Sequence, residues 1–92
     1  MEMLEALGKE VVELNGSVMG IVKNVMFDEK IWEVTFLEVE LNKKTADELD
    51  AKKLFQHFRV PLAVSNVQGI GDKVLLKGSA EEIMSELLAQ TV

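Results

Sequence analysis

The sequence predicts a mainly β fold: a small, strongly bent antiparallel barrel of five to six strands, with a short helix after the third strand and an amphipathic helix at the C-terminus. Three observations support this prediction. Short runs of strand-forming residues alternate with turn sequences along most of the chain. The interior of the second strand contains a glycine, Gly20, where the buried positions change phase. A helical apolar repeat occurs near the C-terminus.

Composition bounds the domain and its partners. The 92 residues are expected to form one domain, residues 1–92. The chain has no cysteine, which excludes disulfides and thiolate metal sites and fits a cytoplasmic location. Its first segment, MEMLEALGKEVVEL, is acidic and lacks a long apolar run, so neither a signal peptide nor membrane insertion is expected. The net charge is −6 and Arg59 is the single arginine, so direct nucleic-acid binding is not expected.

The first two strands are predicted to form a hairpin. The first strand is predicted at residues 9–14. Asn15 and Gly16 follow it, and they are the pair that most readily adopts positive φ in a two-residue hairpin loop. The second strand then occupies residues 18–28. A turn at the sequence DEK leads from it into a third strand at residues 31–41.

The buried positions of the second strand do not keep a single period. Met19, Val22, Val25 and Phe27 are the predicted buried set, and their spacing is three, three and two. A flat strand with one buried face would keep a spacing of two throughout. Glycine in a strand interior marks a bulge, a bend or a close backbone approach, and small barrels need such points in order to close. Gly20 is therefore predicted to be a barrel corner.

The third strand carries apolar residues on both faces. Leu37, Val39 and Leu41 alternate with two glutamates and are predicted to face the core. The opposite face carries three further apolar residues: Trp32, Val34 and Phe36. Apolar groups on both faces require a cover outside the barrel, which the C-terminal helix or a second copy of the chain could provide.

The next elements follow in order. Thr45, as N-cap, and Glu48 have capping-box spacing and predict a short helix near residues 45–53. The sequences FRVPLAV and NVQGI predict one bent strand or two short strands, and KVLLKG predicts the last strand. Gly71 and Asp72 are predicted to form the tight turn before that last strand.

The C-terminal segment, SAEEIMSELLAQ, predicts a helix over residues 79–89. Ser79 and Glu82 have the spacing of a capping box. Apolar residues then recur at the helical period and form one stripe: Ala80, Ile83, Met84, Leu87 and Leu88. The stripe is predicted to cover an open end of the core, and the alternative is a helix that binds a partner.

This order of signals resembles the PRC-barrel family, which is named after the photosynthetic reaction-centre H subunit. The resemblance covers roughly residues 4–83, and the length and the helix after the third strand are similar to the short stand-alone archaeal members. It rests on residues that stand in the family's order and spacing: Leu7, Gly8, Gly16, Gly20, Val22, Val67, Ile70, Gly71, Asp72, Val74 and Leu76.

The resemblance implies a module that binds proteins, with no enzymatic activity and no cofactor. Family members include a structural cover in the reaction centre, a ribosome-maturation-factor domain that docks onto a ribosomal protein, and archaeal adaptors of cell division. The expected function is an adaptor in division or membrane-associated assembly. The alternative is a factor linked to RNA processing or ribosome maturation. A weaker third class is a binder of a small apolar molecule between barrel and helix.

A search of the residues for chemistry agrees with that expectation. His57 is the only histidine, so one chain cannot form a two-histidine metal site. The sequence GIGDK lacks the helix and the Lys-Ser/Thr pair of a phosphate-binding loop. Glu38 and Glu40 share a strand face, where alternating acids usually serve solubility. No catalytic or metal-binding residue is therefore predicted.

The unpaired apolar residues predict a homodimer. A chain of this size buries only about 60–70% of its extended surface, so a second copy is a common remedy. The outer face of the third strand offers Val34 and Phe36, which are predicted near the centre of the interface. Met84 and Leu88 of the C-terminal helix are the other candidate interface residues. The alternative is a monomer in which the helix covers that face.

Overall fold

Six strands form one curved sheet in the computed structural model, which describes residues 2–48 and 59–91. The strands are β1 (Glu10–Val12), β2 (Val18–Asp28), β3 (Glu33–Leu41), β4 (Arg59–Ala63), β5 (Val67–Ile70) and β6 (Val74–Leu76). The α-helices are α1 (Lys43–Glu48) and α2 (Ala80–Thr91). Short 3-10 helices occupy Glu2–Ala6 and Val64–Asn66.

The sheet order, β4-β3-β2-β1-β6-β5, makes the two edge strands consecutive in the chain. Only Val64–Asn66 separates β4 from β5, so the sheet curls until its edges approach each other. Within the residues described, no hydrogen-bonded ladder joins β4 to β5, and the sheet is bent without full closure. The prediction of a mainly β, strongly bent and nearly closed barrel with two helices is confirmed.

One strand pair differs from the antiparallel prediction. β1 and β6 run parallel, whereas the other four pairs are antiparallel. The cause lies in the link between β4 and β5. The chain passes through the 3-10 helix Val64–Asn66 without reversing, so β4 and β5 run in the same direction. Every other connection between strands that are consecutive in the chain reverses the chain direction. Because the β4–β5 connection does not, the first and last strands, β1 and β6, run parallel.

Two bulges produce the phase change in β2. The ladder with β1 skips Met19, and the ladder with β3 skips Lys23. Each extra residue turns the strand's inward face by one position, which explains the two spacings of three. Met19 and Val22 are buried as predicted, and Val25 packs against the core. Phe27 is 41% exposed because β2 extends beyond the core at that point, so its predicted burial is wrong.

The core lies inside the curl of the sheet. From β3, Leu37, Val39 and Leu41 point inward as their alternation predicts. Ala6 of the first 3-10 helix is fully buried, and α2 contributes its first apolar turn to the core. The other buried apolar residues are Val11, Met19, Val22, Val34, Ala46, Val60, Leu62, Val67, Val74, Leu76, Ala80, Ile83 and Met84.

The hairpin between β1 and β2 closes with a three-residue loop, residues 14–16, rather than the predicted two. The N–H of Glu13 donates to Ser17 O at 2.8 Å, and the N–H of Gly16 donates to Glu13 O at 2.9 Å. Gly16 alone in the loop has positive φ, +94°, which is the geometry of a β-turn followed by a glycine bulge. Asn15 instead uses its Oδ1 to accept the N–H of Ser17 at 2.9 Å.

Helix α1 begins two residues before the predicted position. Asn42, not Thr45, is the cap: its Oδ1 accepts the N–H of Thr45 at 2.8 Å. The Nδ2 of Asn42 also donates to Val18 O at 2.6 Å, which ties the start of the helix to β2. Thr45 is buried inside the helix. Residues 49–53 of the predicted helix lie outside the described residues.

Helix α2 begins with the predicted Ser79 cap, in which Glu82 bonds to the Ser79 hydroxyl rather than to its backbone N–H, and has an additional acidic cap. Ser79 Oγ accepts the N–H of Glu82 at 3.2 Å and donates to Glu82 Oε1 at 3.1 Å. The additional cap is Glu13, the residue after β1, whose Oε1 accepts the N–H of Ala80 at 2.7 Å. A carboxylate at this position also interacts favourably with the positive end of the helix dipole. The side chains of Leu87 and Leu88 lie outside the described residues.

Replacing Glu13 by alanine should lower the free energy of unfolding by about 1 kcal/mol, because α2 loses a cap at its first N–H group. For a domain of this size that is a fall of roughly 4–8 °C in melting temperature. Thermal unfolding followed by circular dichroism measures it. Glu13→Gln keeps an acceptor oxygen and should cost only a few tenths of a kcal/mol. An unchanged melting temperature in Glu13→Ala contradicts the capping role.

Candidate functional site

The outer half of the β2–β3 hairpin extends past both neighbouring strands. Contact with β1 ends at Val22, whose N–H donates to Lys9 O at 3.0 Å. The ladder between β3 and β4 ends at Phe36, which pairs with Ala63. Beyond these points the two strands pair only with each other in the described part of the chain. A two-stranded ribbon alone is marginally stable in water, so contacts at its tip contribute much of its order.

The tip is a four-residue loop between Asp28 and Glu33, which pair with each other. The N–H of Lys30 donates to Asp28 Oδ1 at 2.9 Å, an Asx turn that starts the loop. Trp32 ends the loop with φ of +56°. A bulky aromatic residue rarely adopts this left-handed conformation, and such strain concentrates at functional positions.

Three apolar side chains form an exposed cluster at the tip, here named the hairpin patch: Phe27, Ile31 and Trp32. They are 41%, 54% and 74% exposed. The rings of Phe27 and Trp32 pack edge to face with centroids 5.6 Å apart and an interplanar angle of 69°. This pair stabilises the strained loop by about 1 kcal/mol. A clustered, exposed apolar surface on a protruding element is typical of a protein-binding site.

The structure distributes the four predicted interface residues over different environments. Val34 is 7% and Met84 4% exposed, so both belong to the chain's own core. Val34 turns inward because the ladder skips Thr35, an extra residue on β3. Phe36 is half-buried on the outer face of the sheet, directly opposite Met26 of β2. The side chain of Leu88 lies outside the described residues.

The five predicted structural residues lie at turns and at one close backbone approach. Gly8 has φ of +83° and its N–H donates to Val22 O at 2.9 Å, where the chain leaves the 3-10 helix. Gly16 is the left-handed loop residue described above. A Cβ built on Gly20 would overlap the carbonyl oxygen of Glu40. Gly71 and Asp72 lie in the β5–β6 turn, where Gly71 O accepts the Lys9 ammonium at 2.6 Å.

The paired carboxylates on β3 share one ion-pair partner, the single arginine. Arg59 Nη1 lies 3.2 Å from Glu38 Oε1, and Arg59 Nε lies 3.4 Å from Glu40 Oε2. All three side chains are partly exposed, so the ion pairs stabilise the β3–β4 edge only slightly. His57 lies outside the described residues. Across residues 2–48 and 59–91, no three His, Asp or Glu side chains converge as metal ligands.

Two surface depressions flank the start of α2. One lies between α2, α1 and the β1–β2 hairpin and is lined mainly by Glu13, Asn15, Ser17, Thr45, Glu48 and Ser79. The other lies beside Asn66 and the outer side of the helix, and polar groups also dominate its residues. Sites for apolar ligands are lined predominantly by hydrophobic and aromatic side chains, and neither set of lining residues has that character, so neither depression favours the third function class.

Sequence reasoning missed the two most exposed members of the hairpin patch. Ile31 and Trp32 were assigned to the third strand because both residue types favour strands. The structure places them in the loop, since the β2–β3 ladder already ends at Asp28 and Glu33. The sequence does contain a signal for this placement, because Ile31 and Trp32 directly follow the charged turn sequence DEK. Strand-forming residues that directly follow a turn sequence can belong to the turn itself.

None of the helices within the described ranges is long and apolar enough to cross a lipid bilayer. Comparison with protein families gives a match to the PRC-barrel domain over residues 5–83. The match therefore includes all six strands, the protruding hairpin and the start of α2. No curated protein matches the chain.

Proposed function

The chain belongs to the PRC-barrel family, and we propose that it is a non-enzymatic adaptor that binds other proteins through the hairpin patch. Membership of this family indicates a module of the protein-interaction or ribosome-maturation type. The observation that carries the choice is the exposed cluster of Phe27, Ile31 and Trp32 on the outer half of the hairpin, which no other strand supports among the described residues.

Burial of the hairpin patch supplies the driving force for binding. Trp32 is the most exposed large apolar residue in the described part of the chain, and tryptophan is the residue type most enriched among interface hot spots. Its ring packs edge to face against Phe27, a contact that orders the loop before binding and so lowers the entropy lost when a partner docks. The nearby Asp28, Glu29 and Glu33 form an acidic rim that favours a partner with basic residues around an apolar pocket.

The proposed process is the assembly of division-site or membrane-associated complexes in the cytoplasm, by a homodimer. The similarity to short archaeal family members, some of which are division adaptors, supports this choice. A dimer presents two hairpin patches, so one dimer can link two partner molecules. The net charge of −6 and the single arginine, Arg59, favour the adaptor role over a factor that binds RNA directly.

Replacing Trp32 by alanine should weaken capture of the partner by about tenfold or more, the loss expected for an interface hot spot. The measurement is co-purification from native cells with quantitative mass spectrometry, followed by titration of the recovered partner. Leu14→Ala is the matched control: Leu14 is 61% exposed at the tip of the other hairpin. It should leave capture unchanged.

The identity of the lost proteins decides between the two functions. Division-site proteins that bind the wild type and are lost in Trp32→Ala support the adaptor role. Ribosomal proteins lost in the same variant would favour the ribosome-maturation alternative. Recovery of the same proteins at the same level with Trp32→Ala would contradict docking through the hairpin patch.

A further inference from the structure

Among the residues that the structure describes, none pairs with the β1-facing edge of β2 along its outer half. Val22 is the last residue that bonds to the β1 side: its N–H donates to Lys9 O at 3.0 Å, and its carbonyl accepts the N–H of Gly8 at 2.9 Å. Upstream of Gly8 the chain turns into the 3-10 helix. The segment from Lys23 to Asp28 therefore pairs with β3 alone among the described residues. An open edge of this length is a template for an added strand.

The direction of each backbone group along this edge follows from the bulge. N–H and C=O groups of successive strand residues point to opposite sides. The extra residue, Lys23, reverses the alternation, so Val25 and Phe27 point to the open side and Met26 points to β3. The N–H of Val25 agrees with this assignment. It donates to Asn24 Oδ1 at 2.8 Å rather than to a β3 carbonyl.

We propose that the open edge of β2 pairs antiparallel with the same edge of a second copy, around a two-fold axis at Met26. This inference rests on the proposed dimer and names the surface that forms it. The two sheets then join into one through β2. Val25 of each copy exchanges both backbone hydrogen bonds with Phe27 of the other, because these residues point to the open side.

The register follows from the residues that face each other across the axis. A two-fold axis at Met26 pairs strand residues of like polarity: Asn24 with Asp28, Val25 with Phe27, and Met26 with Met26. At the end of the paired segment, Lys23 lies opposite the position of Glu29, the first residue of the tip loop, which carries the opposite charge. A shift of two residues in one direction would place Lys23 opposite Phe27. A shift in the other direction would place Val25 opposite Glu29. Both shifts bury a charge against an apolar group, which is unfavourable.

Both faces of the joined sheet gain apolar contacts. On the outer face, Met26 of each copy lies between its own Phe36 and the other Met26, which forms a continuous apolar stripe. On the inner face, Val25 of one copy meets Phe27 of the other, so Phe27 belongs to the dimer interface, and Ile31 and Trp32 are the residues of the hairpin patch that lie beyond the paired segment. In this arrangement the apolar stripe runs from Phe36 of one copy through both Met26 side chains to Phe36 of the other, and the two β3 faces do not stack.

The open edge of β2 is complementary to itself, and this favours a second copy of the chain over a strand from another protein. The edge holds one basic residue, Lys23, at one end and acidic residues at the other, so it is self-complementary when antiparallel, as a two-fold interface requires. In the single chain, Asn24 covers the N–H of Val25. Pairing releases the Asn24 amide, which then faces the Asp28 carboxylate of the second copy.

Cysteine cross-linking tests the axis directly, because the chain contains no cysteine of its own. Met26→Cys places two thiols in a non-hydrogen-bonded pair, whose Cα separation of about 4.5 Å permits a disulfide. We expect Met26→Cys to form a covalent dimer under mild oxidation at micromolar concentration. Lys23→Cys, on the same strand but about 20 Å from its symmetry mate in this register, should stay uncross-linked. Equal cross-linking of both variants, or none of either, overturns the register.

Charge reversal measured by light scattering gives a second readout. Lys23→Glu replaces two attractive pairs by two repulsive ones and should raise the dimer Kd about tenfold. Adding Glu29→Lys in the same chain restores opposite charges and should restore the dimer. A double variant no better than Lys23→Glu overturns the pairing. Loss of the dimer in Phe36→Glu without any cross-link in Met26→Cys would instead assign the dimer to the β3 face.

The two proposals fail separately. A wild-type mass near one chain, 10.3 kDa, overturns the edge dimer but leaves capture of partners through Trp32 intact. Conversely, a Trp32→Ala variant that keeps its partners contradicts the proposed docking surface, while the cross-link through Met26→Cys is unaffected.

Discussion

Gly20→Ala should lower the free energy of unfolding by about 3 kcal/mol, although it adds only one methyl group. A Cβ built at this position would overlap the carbonyl oxygen of Glu40 and lie 2.9 Å from the carbonyl carbon of Glu40 and 3.0 Å from Leu41 Cα. These atoms belong to the backbone of β3, which cannot rotate away as a flexible side chain can. Relief requires β2 and β3 to separate, with the loss expected for overpacking in a closed interior.

The overlap also shows how the sheet is bent. In a flat sheet a Cβ points away from the plane and clears the neighbouring strand. At Gly20 it would point into the backbone of β3, because the sheet coils sharply where Gly20 pairs with Leu41. The bulges at Met19 and Lys23 lie on either side of this point and produce the bend.

Chemical or thermal denaturation of purified variants measures the effect, which corresponds to a fall of roughly 12–24 °C in melting temperature. Gly69→Ala is the matched control. Gly69 also lies in a strand, its φ is not positive, and nothing lies within 4 Å of an added Cβ. That variant should be neutral or stabilised by about 0.5 kcal/mol, since alanine loses less backbone entropy than glycine. A Gly20→Ala variant as stable as Gly69→Ala would contradict the close approach.

Local patterns in the sequence predicted the features that depend on neighbouring residues. The three-three-two spacing in β2 predicted its phase change, because a bulge moves every later side chain to the other face. The alternation of Leu37, Val39 and Leu41 predicted the inward face of β3. Ser79 and Glu82 predicted the start of α2, because capping bonds join residues three apart.

Features that depend on distant parts of the chain could not be predicted in the same way. The 3-10 link after β4 has no strong local signal, yet it sets the parallel pairing of β1 with β6. Simple alternation along the third strand predicts Val34 on the outer face. The bulge at Thr35 turns Val34 inward, and this bulge depends on the register between β3 and β2. The spacing in β2 predicts burial of Phe27, and residue type places Trp32 in the third strand. Only the unequal lengths of β1, β2 and β4 in the assembled sheet expose these two residues.

The candidate site could be predicted only in part for the same reason. Phe36 was placed correctly on the outer face of β3, since strict alternation from Leu37 requires it. The open edge of β2 depends on where β1 ends, and β1 has three residues rather than the predicted six. A strand's own sequence does not encode the length of its neighbour, so the edge proposed for dimerisation was visible only in the assembled sheet.

Leu37→Ala should lower the free energy of unfolding by about 3–4 kcal/mol, the other large effect expected in this chain. Leu37 is fully buried at the centre of β3, between Val25 of β2 and Leu62 of β4. Truncation removes buried apolar surface and leaves a cavity, and buried Leu→Ala changes cost about 2–5 kcal/mol. Backbone ladders on both sides hold the two flanking strands, so the site can collapse only partly.

The control for this prediction is Leu75→Ala, which makes the same chemical change in a strand at a position 39% exposed. It should cost less than about 1 kcal/mol, because water already contacts that side chain. Urea denaturation of the wild type and both variants measures the difference in their unfolding midpoints. A domain of this size has a total stability of about 5–10 kcal/mol, so Leu37→Ala should unfold at roughly 20–70% of the wild-type urea midpoint if the m-value is unchanged. Similar midpoints for the two variants would mean that Leu37 is not at the centre of the core, and the inward face assigned to β3 would be wrong.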